Sequence, residues 1–332
     1  MAVLTYQSKS KLKKALRITL IVVGALALLA LLRFIYVGRY LVYNEDGVQL
    51  QQSVETLNAA EPQGKPAEEF ALIREGQTQQ LGESASQISG FYLTASQLMD
   101  ASVRDQLSPL PGGCNTLLLD MKTATGKTLY PSALGSEPAA SDVQAIADWI
   151  VNLKKTSHVT LVARIPAYRD SAVALSDYSM ALPITGGALW MDANGSYCLD
   201  PASEKTVNFL LDTAKELSAL GFDEIVFDGF DFPYSPNIVY SGNGQQATID
   251  AAQTISQQLK AKGIGVSFGS ASKDLLALSD HAWVHAGGGT LVSELARQYV
   301  DYLPAGESGL VFLTASKDTR FSSYGVLTPF EE

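Results

Sequence analysis

The stretch GFDEIVFDGFDFP, at residues 221–233, contains a short apolar run that ends abruptly in an acid, Asp228. The preceding residues, 204–220, have the spacing of an amphipathic helix, and Gly221 is a typical C-terminal signal for that helix. A helix, a glycine turn and a buried strand that ends in an acid are typical of a parallel α/β barrel. In such barrels the C-terminal ends of the strands carry the chemistry.

The chain from residue 88 onward alternates short apolar runs with helical stretches, which indicates a parallel sheet. We predict eight strands, at residues 88–93, 116–119, 159–165, 224–228, 263–268, 281–285, 310–314 and 324–327. We predict helices at residues 95–107, 141–154, 204–220, 247–262 and 290–300. The second helix should begin at Ser141, with a capping box to Gln144. The predicted fold class is α/β, a TIM-type (β/α)8 barrel. Because the eighth strand is weak, we expect any irregularity of the barrel at its C-terminal end.

Length and charge limit the classes of function. The chain has 332 residues, which suits one large domain with appendages, and 46% of them are hydrophobic. Residues 1–43 contain seven Lys or Arg and no acid, which leaves 17 basic and 34 acidic residues in the rest of the chain. This acidic balance argues against a nucleic-acid partner for the main domain.

Cysteine and histidine give no sign of a disulfide framework or a metal site. Cys114 and Cys198 belong to no CxxC motif, and the predicted barrel places them at opposite faces, so we expect no pairing. His281 and His285 have the i,i+4 spacing of a zinc pair on a helix. Their segment, HAWVH, lacks the glutamate of a metalloprotease motif and is more typical of a strand. We predict no metal and no cofactor.

The N-terminal region has the pattern of a signal anchor. Basic residues precede an apolar run at 18–32, which continues at 34–37 after Arg33. Residues 18–37 together could cross about 30 Å of hydrocarbon at about 1.5 Å per residue. A cleaved signal peptide is the alternative, but no small-x-small cleavage pattern follows. The basic flank predicts a cytoplasmic N-terminus and a single-pass membrane protein with an extracytoplasmic C-terminal domain.

The segment after the anchor is polar. Residues 44–87 are rich in Gln, Glu, Ala, Ser and Gly, so we expect a stalk, with a short helix near 48–57. The predicted organisation is therefore a tail and anchor at 1–43, a stalk at 44–87 and a barrel at 88–332.

Two strand-end acids fall on the same side of the predicted sheet. Leu118 and Asp120 share a face of strand two, and Val226 and Asp228 share a face of strand four, because side chains alternate along a strand. Strands of the same parity fill the same layer of a barrel, so both acids could point inward across the mouth, with Arg164 between them. Paired carboxylates are what glycosidic bond cleavage generally requires. Acids at strand ends also often only cap the next helix or pair with a neighbouring cation.

Residues 89–269 resemble a known family. The pieces that carry the resemblance are SGFYLTAS, NTLLLDMKTATGKTLYPS, VTLVARIPAYRD and the stretch from GGALWMDANGSY to FDGFDFP. In order and spacing they are similar to the putative glycosyl hydrolase family of bacterial proteins, which have a TIM-barrel fold and are often membrane-attached or exported. The resemblance covers a little more than half of the chain. It implies a domain that acts on carbohydrate.

The resemblance also implies roles for individual residues. Asp120 and Asp228 fall on the family acids that follow strands two and four, and we expect them to be the catalytic carboxylates. The other matching family positions are Lys122, Arg164, Asp170, Trp190, Asp192, Asp200, Pro201 and Pro233. The residues that we expect to bind substrate are Arg164, Trp190, Lys122, Asp192 and Asp231. Trp190 would offer an aromatic face to the apolar face of a sugar ring, or else form a lid over the barrel.

Two positions depart from the family pattern. Gly229 stands where the family typically has an aromatic residue, and Asp231 stands where it typically has an arginine. A Tyr-Pro-Ser signature on a later strand is also not evident. The leading prediction is a glycoside hydrolase acting on cell-wall or other extracellular polysaccharide. The departures favour the alternative, a catalytically inactive barrel that binds glycan or protein at the cell surface.

Overall fold

The computed structural model describes residues 41–44, 47–50, 87–287 and 291–330. Strands β1 (Leu41–Asn44) and β2 (Gly47–Leu50) pair antiparallel, in a unit separate from the rest. The expected helix near 48–57 is therefore wrong at residues 48–50, which belong to β2, and the rest of that range lies outside the described residues. The predicted membrane span at 18–37 lies outside the described residues. Within them, no helix is both long and apolar enough to cross a membrane.

Eight parallel strands form a nearly closed barrel in the second unit, as predicted. They are β3 (Ser89–Leu93), β4 (Thr116–Asp120), β5 (Thr160–Pro166), β6 (Glu224–Asp228), β7 (Gly265–Gly269), β8 (Ala282–Ala286), β9 (Leu310–Thr314) and β10 (Gly325–Pro329). The hydrogen-bonded order is β7-β6-β5-β4-β3-β10-β9-β8. The architecture is consistent with a TIM barrel.

The irregularity of the barrel is not at its C-terminal end, where the sequence placed it. The weak last strand, β10, pairs with both neighbours: Leu327 is in register with Gly90 of β3 and with Leu313 of β9. The opening instead lies between β7 and β8, which terminate the hydrogen-bonded order of the described strands. We call this opening the seam.

Side chains and one backbone hydrogen bond, from the Asp280 N–H to the Val266 carbonyl at 2.8 Å, replace the missing ladder at the seam. The backbone N–H of Val266 donates to Asp280 Oδ2 at 2.9 Å, and that of Phe268 donates to Ser279 Oγ at 3.0 Å. The backbone N–H of His281 in turn donates to Ser267 Oγ at 2.8 Å. The residues just before β8 thus satisfy the β7 amides that a strand would otherwise pair, and the barrel stays open above them.

The described helices pack around the sheet. They are α1 (Ala95–Met99), α2 (Ala101–Gln106), α3 (Val143–Thr156), α4 (Ser171–Ser176), α5 (Glu204–Ala219), α6 (Gly244–Lys260), α7 (Lys273–Leu276) and α8 (Val292–Arg297). The single helix expected at 95–107 is two, because Asp100 takes an extended conformation and its carboxylate caps the second helix at Ser102. The capping box from Ser141 is wrong: Asp142 is the N-cap residue, and its carboxylate binds Arg104 at 3.1 Å instead.

Alternation along the strands separates the core into layers. Leu118, Val162 and Val226 belong to a cluster inside the barrel, whereas Leu117 and Ile225 pack in the larger cluster with the helices. Since Asp120 and Asp228 lie two positions beyond Leu118 and Val226, both acids are on the interior face, at the C-terminal mouth. Both cysteines are free.

Candidate functional site

An open cleft of about 450 Å³ lies at the C-terminal ends of β4, β5 and β6, and we call it the inner cleft. The charged and ionisable residues that line it are Asp120, Lys122, Arg164, Arg169, Asp228 and His285. Four of these six were predicted to belong to the site. The structure therefore brings Asp120, Arg164 and Asp228 to one cleft.

Arg164 holds Asp120 in a bidentate ion pair. Arg164 Nε donates to Asp120 Oδ1 at 2.6 Å, and Nη2 donates to Oδ2 at 3.1 Å. The two residues are in register on adjacent strands, so the backbone brings the side chains together. Burial by itself lowers the pKa of Arg164, but the hydrogen bonds and charge of Asp120 outweigh it and raise that pKa. Both oxygens of Asp120 are thus occupied by a permanent cation.

His285 on β8 completes this group from across the mouth. Its Nε2 lies 3.2 Å from Arg164 Nη1. A guanidinium can only donate, so Nε2 is the acceptor and the imidazole is neutral with its hydrogen on Nδ1. Although His285 is exposed to the cleft, the surrounding wall displaces bulk water, and this desolvation, together with the charge of Arg164, lowers its pKa. From the sequence alone, His285 was weighed only as one half of a possible zinc pair.

Asp228 at the end of β6 is held much more loosely than Asp120. Among the described residues its side-chain partner is Arg169, whose Nη2 donates to Oδ2 at a long 3.4 Å. The Asp228 side chain is 49% exposed, against 21% for Asp120. Of the two strand-end acids, Asp228 is therefore the one that is open to a ligand in the cleft.

Gly229 leaves room for Arg169 beside Asp228. Its φ is +64°, a left-handed conformation that favours glycine. A β-carbon at this position would lie 3.1 Å from Arg169 Nη2. The departure from the family pattern at Gly229 therefore leaves space for a guanidinium. Arg169 was missed in the sequence, although its place just after β5 was the available signal.

A second cleft, of about 390 Å³, lies at the seam, and we call it the seam cleft. It shares Asp228 and His285 with the inner cleft, and Asp231, Trp283 and Tyr299 also line it. Because the seam is not closed by a strand ladder, the mouth widens here along the barrel wall. The two clefts meet at Asp228.

A third cleft, of about 370 Å³, continues from Asp231 and is called the outer cleft. Asp231, Phe232 and Tyr234 line it, and the side chain of Tyr234 is fully exposed. The inner, seam and outer clefts therefore share residues in sequence, with Asp228 at the first junction and Asp231 at the second. We call the three clefts together the groove; it has the exposed Tyr234 at one end.

Lys122 borders the inner cleft but is buried in an ion pair. Its Nζ lies 2.5 Å from Asp170 Oδ2, and both side chains are almost completely buried. The Lys122 Nζ also lies 4.3 Å from the centre of the Phe209 ring. Asp170 additionally caps α4 through the backbone N–H of Val173. This pair joins the β4 side of the mouth to the loop after β5.

Trp190 and Asp192 lie on the long loop before α5 and do not line the three clefts. Asp192 Oδ1 accepts hydrogen bonds from the backbone N–H groups of Asn194 and Ser196, at 2.9 and 2.8 Å. Asp192 therefore organises a turn. Trp190 is partly exposed on the same loop. A role of these two residues in binding substrate stays a prediction.

A buried polar network lies one layer below the seam cleft. Glu224 accepts hydrogen bonds from Ser267 Oγ at 2.5 Å and from Trp283 Nε1 at 3.0 Å, and its Oε2 lies 2.7 Å from His281 Nδ1. Burial lowers the pKa of His281, but the hydrogen bond and charge of Glu224 outweigh it and raise that pKa. His281 and His285 thus have different partners. The described part of the chain contains no cluster of three or more possible metal ligands.

Comparison with known proteins gives the family. Residues 90–272, more than half of the chain, match the sequence model of a family described as "Putative glycosyl hydrolase domain". The chain belongs to this family. The match spans β3 to β7 and therefore includes both strand-end acids. No curated protein matches the sequence significantly.

Solved structures with a similar fold include several carbohydrate-related proteins. An α-galactosidase from Lactobacillus brevis is 12% identical with a TM-score of 0.50, over 74% of this chain and 37% of its own. Aspergillus fumigatus Ega3, in complex with galactosamine, is 9% identical with a TM-score of 0.49, over 75% and 94%. A hypothetical protein from Ruminiclostridium thermocellum is 21% identical with a TM-score of 0.44, over 54% and 96%. At 12% identity, the likeness to the α-galactosidase shows a shared barrel fold and not a shared substrate.

Proposed function

We propose that this domain hydrolyses glycosidic bonds in an extended glycan, with Asp228 as the carboxylate that acts at the anomeric carbon. The observation that carries the proposal is the position of Asp228. It is an exposed strand-end acid at the junction of two clefts, with one long hydrogen bond from Arg169. In a glycosidase, such a carboxylate attacks the anomeric carbon or removes a proton from the water that does so.

The shape of the groove supports a polymeric substrate. Three open clefts follow one another past Asp228 and Asp231, which gives room for sugar units on both sides of the reacting bond. Tyr234 offers an exposed aromatic face at the outer end, and such faces pack against the apolar face of a sugar ring. Family membership agrees with a carbohydrate ligand.

Asp120 has a different part in this proposal from the one expected from the sequence. Because both of its oxygens bind Arg164, it acts through that residue, by fixing the guanidinium beside His285. The guanidinium can then donate to a substrate hydroxyl or to the ring oxygen region of a bound sugar. Arg169 can donate to the same sugar from the other side of Asp228.

The N-terminal sequence alone supports the location of the domain outside the cytoplasm. The basic residues and the apolar run at 18–37 support a membrane anchor with the barrel outside. A cell-wall or other extracellular polysaccharide is then the substrate that the domain would meet.

A panel of soluble polysaccharides and oligosaccharides tests the proposal, with release of reducing ends as the readout. Asp228→Asn should lower turnover of any substrate that the wild type cleaves by at least about 10³-fold, with an unchanged circular dichroism spectrum. Asp105→Asn, an exposed change on α2, is the matched control and should leave turnover unchanged. Equal activity of the wild type and Asp228→Asn would contradict the assignment.

The alternative function is glycan binding without turnover, and the pairing of Asp120 with Arg164 is the observation that favours it. If one of the two expected acids is permanently paired, the site has a single free carboxylate unless another residue supplies the second. Saturable binding of a panel glycan with no release of reducing ends, in the wild type, would support this alternative.

A further inference from the structure

Asp231 is fixed in the groove by its two aromatic neighbours. Phe230 is completely buried and packs against Phe268, with ring centres 4.6 Å apart. Phe232 packs against Tyr240, and its ring lies where a side chain at Gly244 would otherwise be. Asp231 stands between these two anchors and is exposed at the junction of the seam and outer clefts. Its backbone is therefore positioned by core packing rather than by a free loop.

The surroundings of the Asp231 carboxyl favour its protonated form more than water does. Although the residue is open to the groove, the concave wall displaces bulk water, and this desolvation raises its pKa. A hydrogen bond from Ser270 Oγ to Oδ1, at 2.6 Å, opposes the rise, and the negative charge of Asp228 adds to it. Two carboxyl groups whose surroundings differ in this way are the usual basis for an acid and a base in one site.

Asp120 is less suited to the same role than Asp231, because a cation holds both of its oxygens. A proton donor needs an oxygen that can carry a proton to the substrate. Both Asp120 oxygens already accept hydrogen bonds from Arg164. Asp231 Oδ2, in contrast, has no hydrogen-bond partner among the described residues, and Asp231 lines the same cleft as Asp228.

We propose that Asp231 is the proton donor of the site, and this assignment rests on the proposed hydrolysis at Asp228. The bond between the anomeric carbon and the leaving oxygen breaks, and its electron pair stays on that oxygen, which takes the proton of Asp231. The new bond to the anomeric carbon comes from Asp228, or from a water whose proton Asp228 accepts. Asp231 is left as a carboxylate, and the leaving sugar departs as a neutral alcohol.

This assignment gives a physical meaning to the second departure from the family pattern. An arginine at position 231 could not donate a proton at neutral pH, whereas an aspartic acid beside another carboxylate can. The guanidinium next to Asp228 comes here from Arg169, with space provided by Gly229. The two departures therefore fit together as one rearranged site.

Leaving-group chemistry tests the proposal. The probes are two glycosides of one sugar that the wild type cleaves, one with a 2,4-dinitrophenyl and one with a methyl leaving group. Asp231→Asn should lose about 10²- to 10⁴-fold on the methyl glycoside and less than about tenfold on the dinitrophenyl glycoside, which departs without a proton. In the wild type kcat/KM should fall at high pH as Asp231 loses its proton, and in Asp231→Asn this fall should disappear. Asp228→Asn should lose activity on both probes, and Asp105→Asn on neither.

An equal loss of Asp231→Asn on the two glycosides would overturn the proposal. A titration of the Asp231 carboxyl by carbon NMR needs no substrate. It therefore distinguishes a failure of the Asp231 assignment from a failure of the proposed hydrolysis. The pKa should lie above the ordinary aspartate value and should fall in Asp228→Asn. If the wild type cleaves no glycoside, hydrolysis at Asp228 fails. An ordinary pKa that does not respond to Asp228→Asn overturns the role of Asp231.

Discussion

The two sides of the barrel mouth carry the same residue types but hold them differently. On the β4–β5 side, Asp120 is paired with Arg164 and Asp170 with Lys122, at 2.6 and 2.5 Å. On the β6–β8 side, Asp228 has one contact of 3.4 Å, and Asp231 accepts from Ser270 and is otherwise open to the groove. A strand-end acid is available for chemistry only where its neighbours leave it unpaired. Placement on the strand is not sufficient.

The largest expected effect on stability concerns the β4–β5 side, where both acids are paired; we call it the closed side, and the β6–β8 side the open side. Lys122→Met leaves the Asp170 carboxylate buried without its cation, so the free energy of unfolding should fall by about 3–5 kcal/mol. Lys127→Met is the matched control: its partner Glu137 is 3.7 Å away and both are exposed, so the loss should be below about 1 kcal/mol. Urea unfolding measures both. Equal stability of the two variants, with turnover lost only in Lys122→Met, would make Lys122 a substrate-binding residue instead.

The next effect lies beneath the open side and depends on pH. The folded pKa of His281 is raised above its ordinary value, so its pairing with Glu224 stabilises the fold fully below that ordinary value. This stabilisation is lost as the pH rises through the folded pKa. His281→Gln should therefore cost about 2 kcal/mol at pH 6 and clearly less at pH 9, by urea unfolding. A cost that is the same at both pH values would show that the charge of His281 contributes nothing.

The smallest effect concerns the outer end of the groove. Tyr234→Ala should weaken binding of a long oligosaccharide by about fivefold, because a stacking contact of about 1 kcal/mol is lost. Tyr178→Ala removes another exposed tyrosine, one that does not line the outer cleft, and should not change the affinity. Titration calorimetry in an Asp228→Asn background measures binding without turnover. Equal affinity of the two variants would exclude the outer cleft from the binding groove.

Much of the fold was predictable because strands in a parallel barrel have a local signature. Short apolar runs marked the strands, although the last one only weakly, and alternation along β4 and β6 placed Asp120 and Asp228 on the interior face. The opening between β7 and β8 was not predictable. It depends on Ser279 and Asp280, whose side chains occupy the β7 amides, and no local pattern reports such a contact.

The partners within the site were harder still to predict from the sequence. Arg164 and His285 meet across the mouth although they are far apart in the chain. Arg169 reaches Asp228 past Gly229, where a side chain would crowd the guanidinium. Trp190 lies on a long loop whose path no periodicity defines. Residue type and position at a strand end identified the candidate acids in the sequence. Which of them is free depends on its contacts with cationic side chains in the folded structure.

The central claim is that the reacting carboxylate belongs to the open side of the mouth. The most direct test compares Asp228→Asn with Asp120→Asn, measuring kcat/KM on one oligosaccharide together with the free energy of unfolding. Asp228→Asn should lose at least about 10³-fold in kcat/KM with stability within about 0.5 kcal/mol of the wild type. Asp120→Asn should lose about 2 kcal/mol of stability and much less activity, because it leaves Arg164 unpaired. The opposite pattern, with activity abolished in a stable Asp120→Asn and retained in Asp228→Asn, would contradict the account.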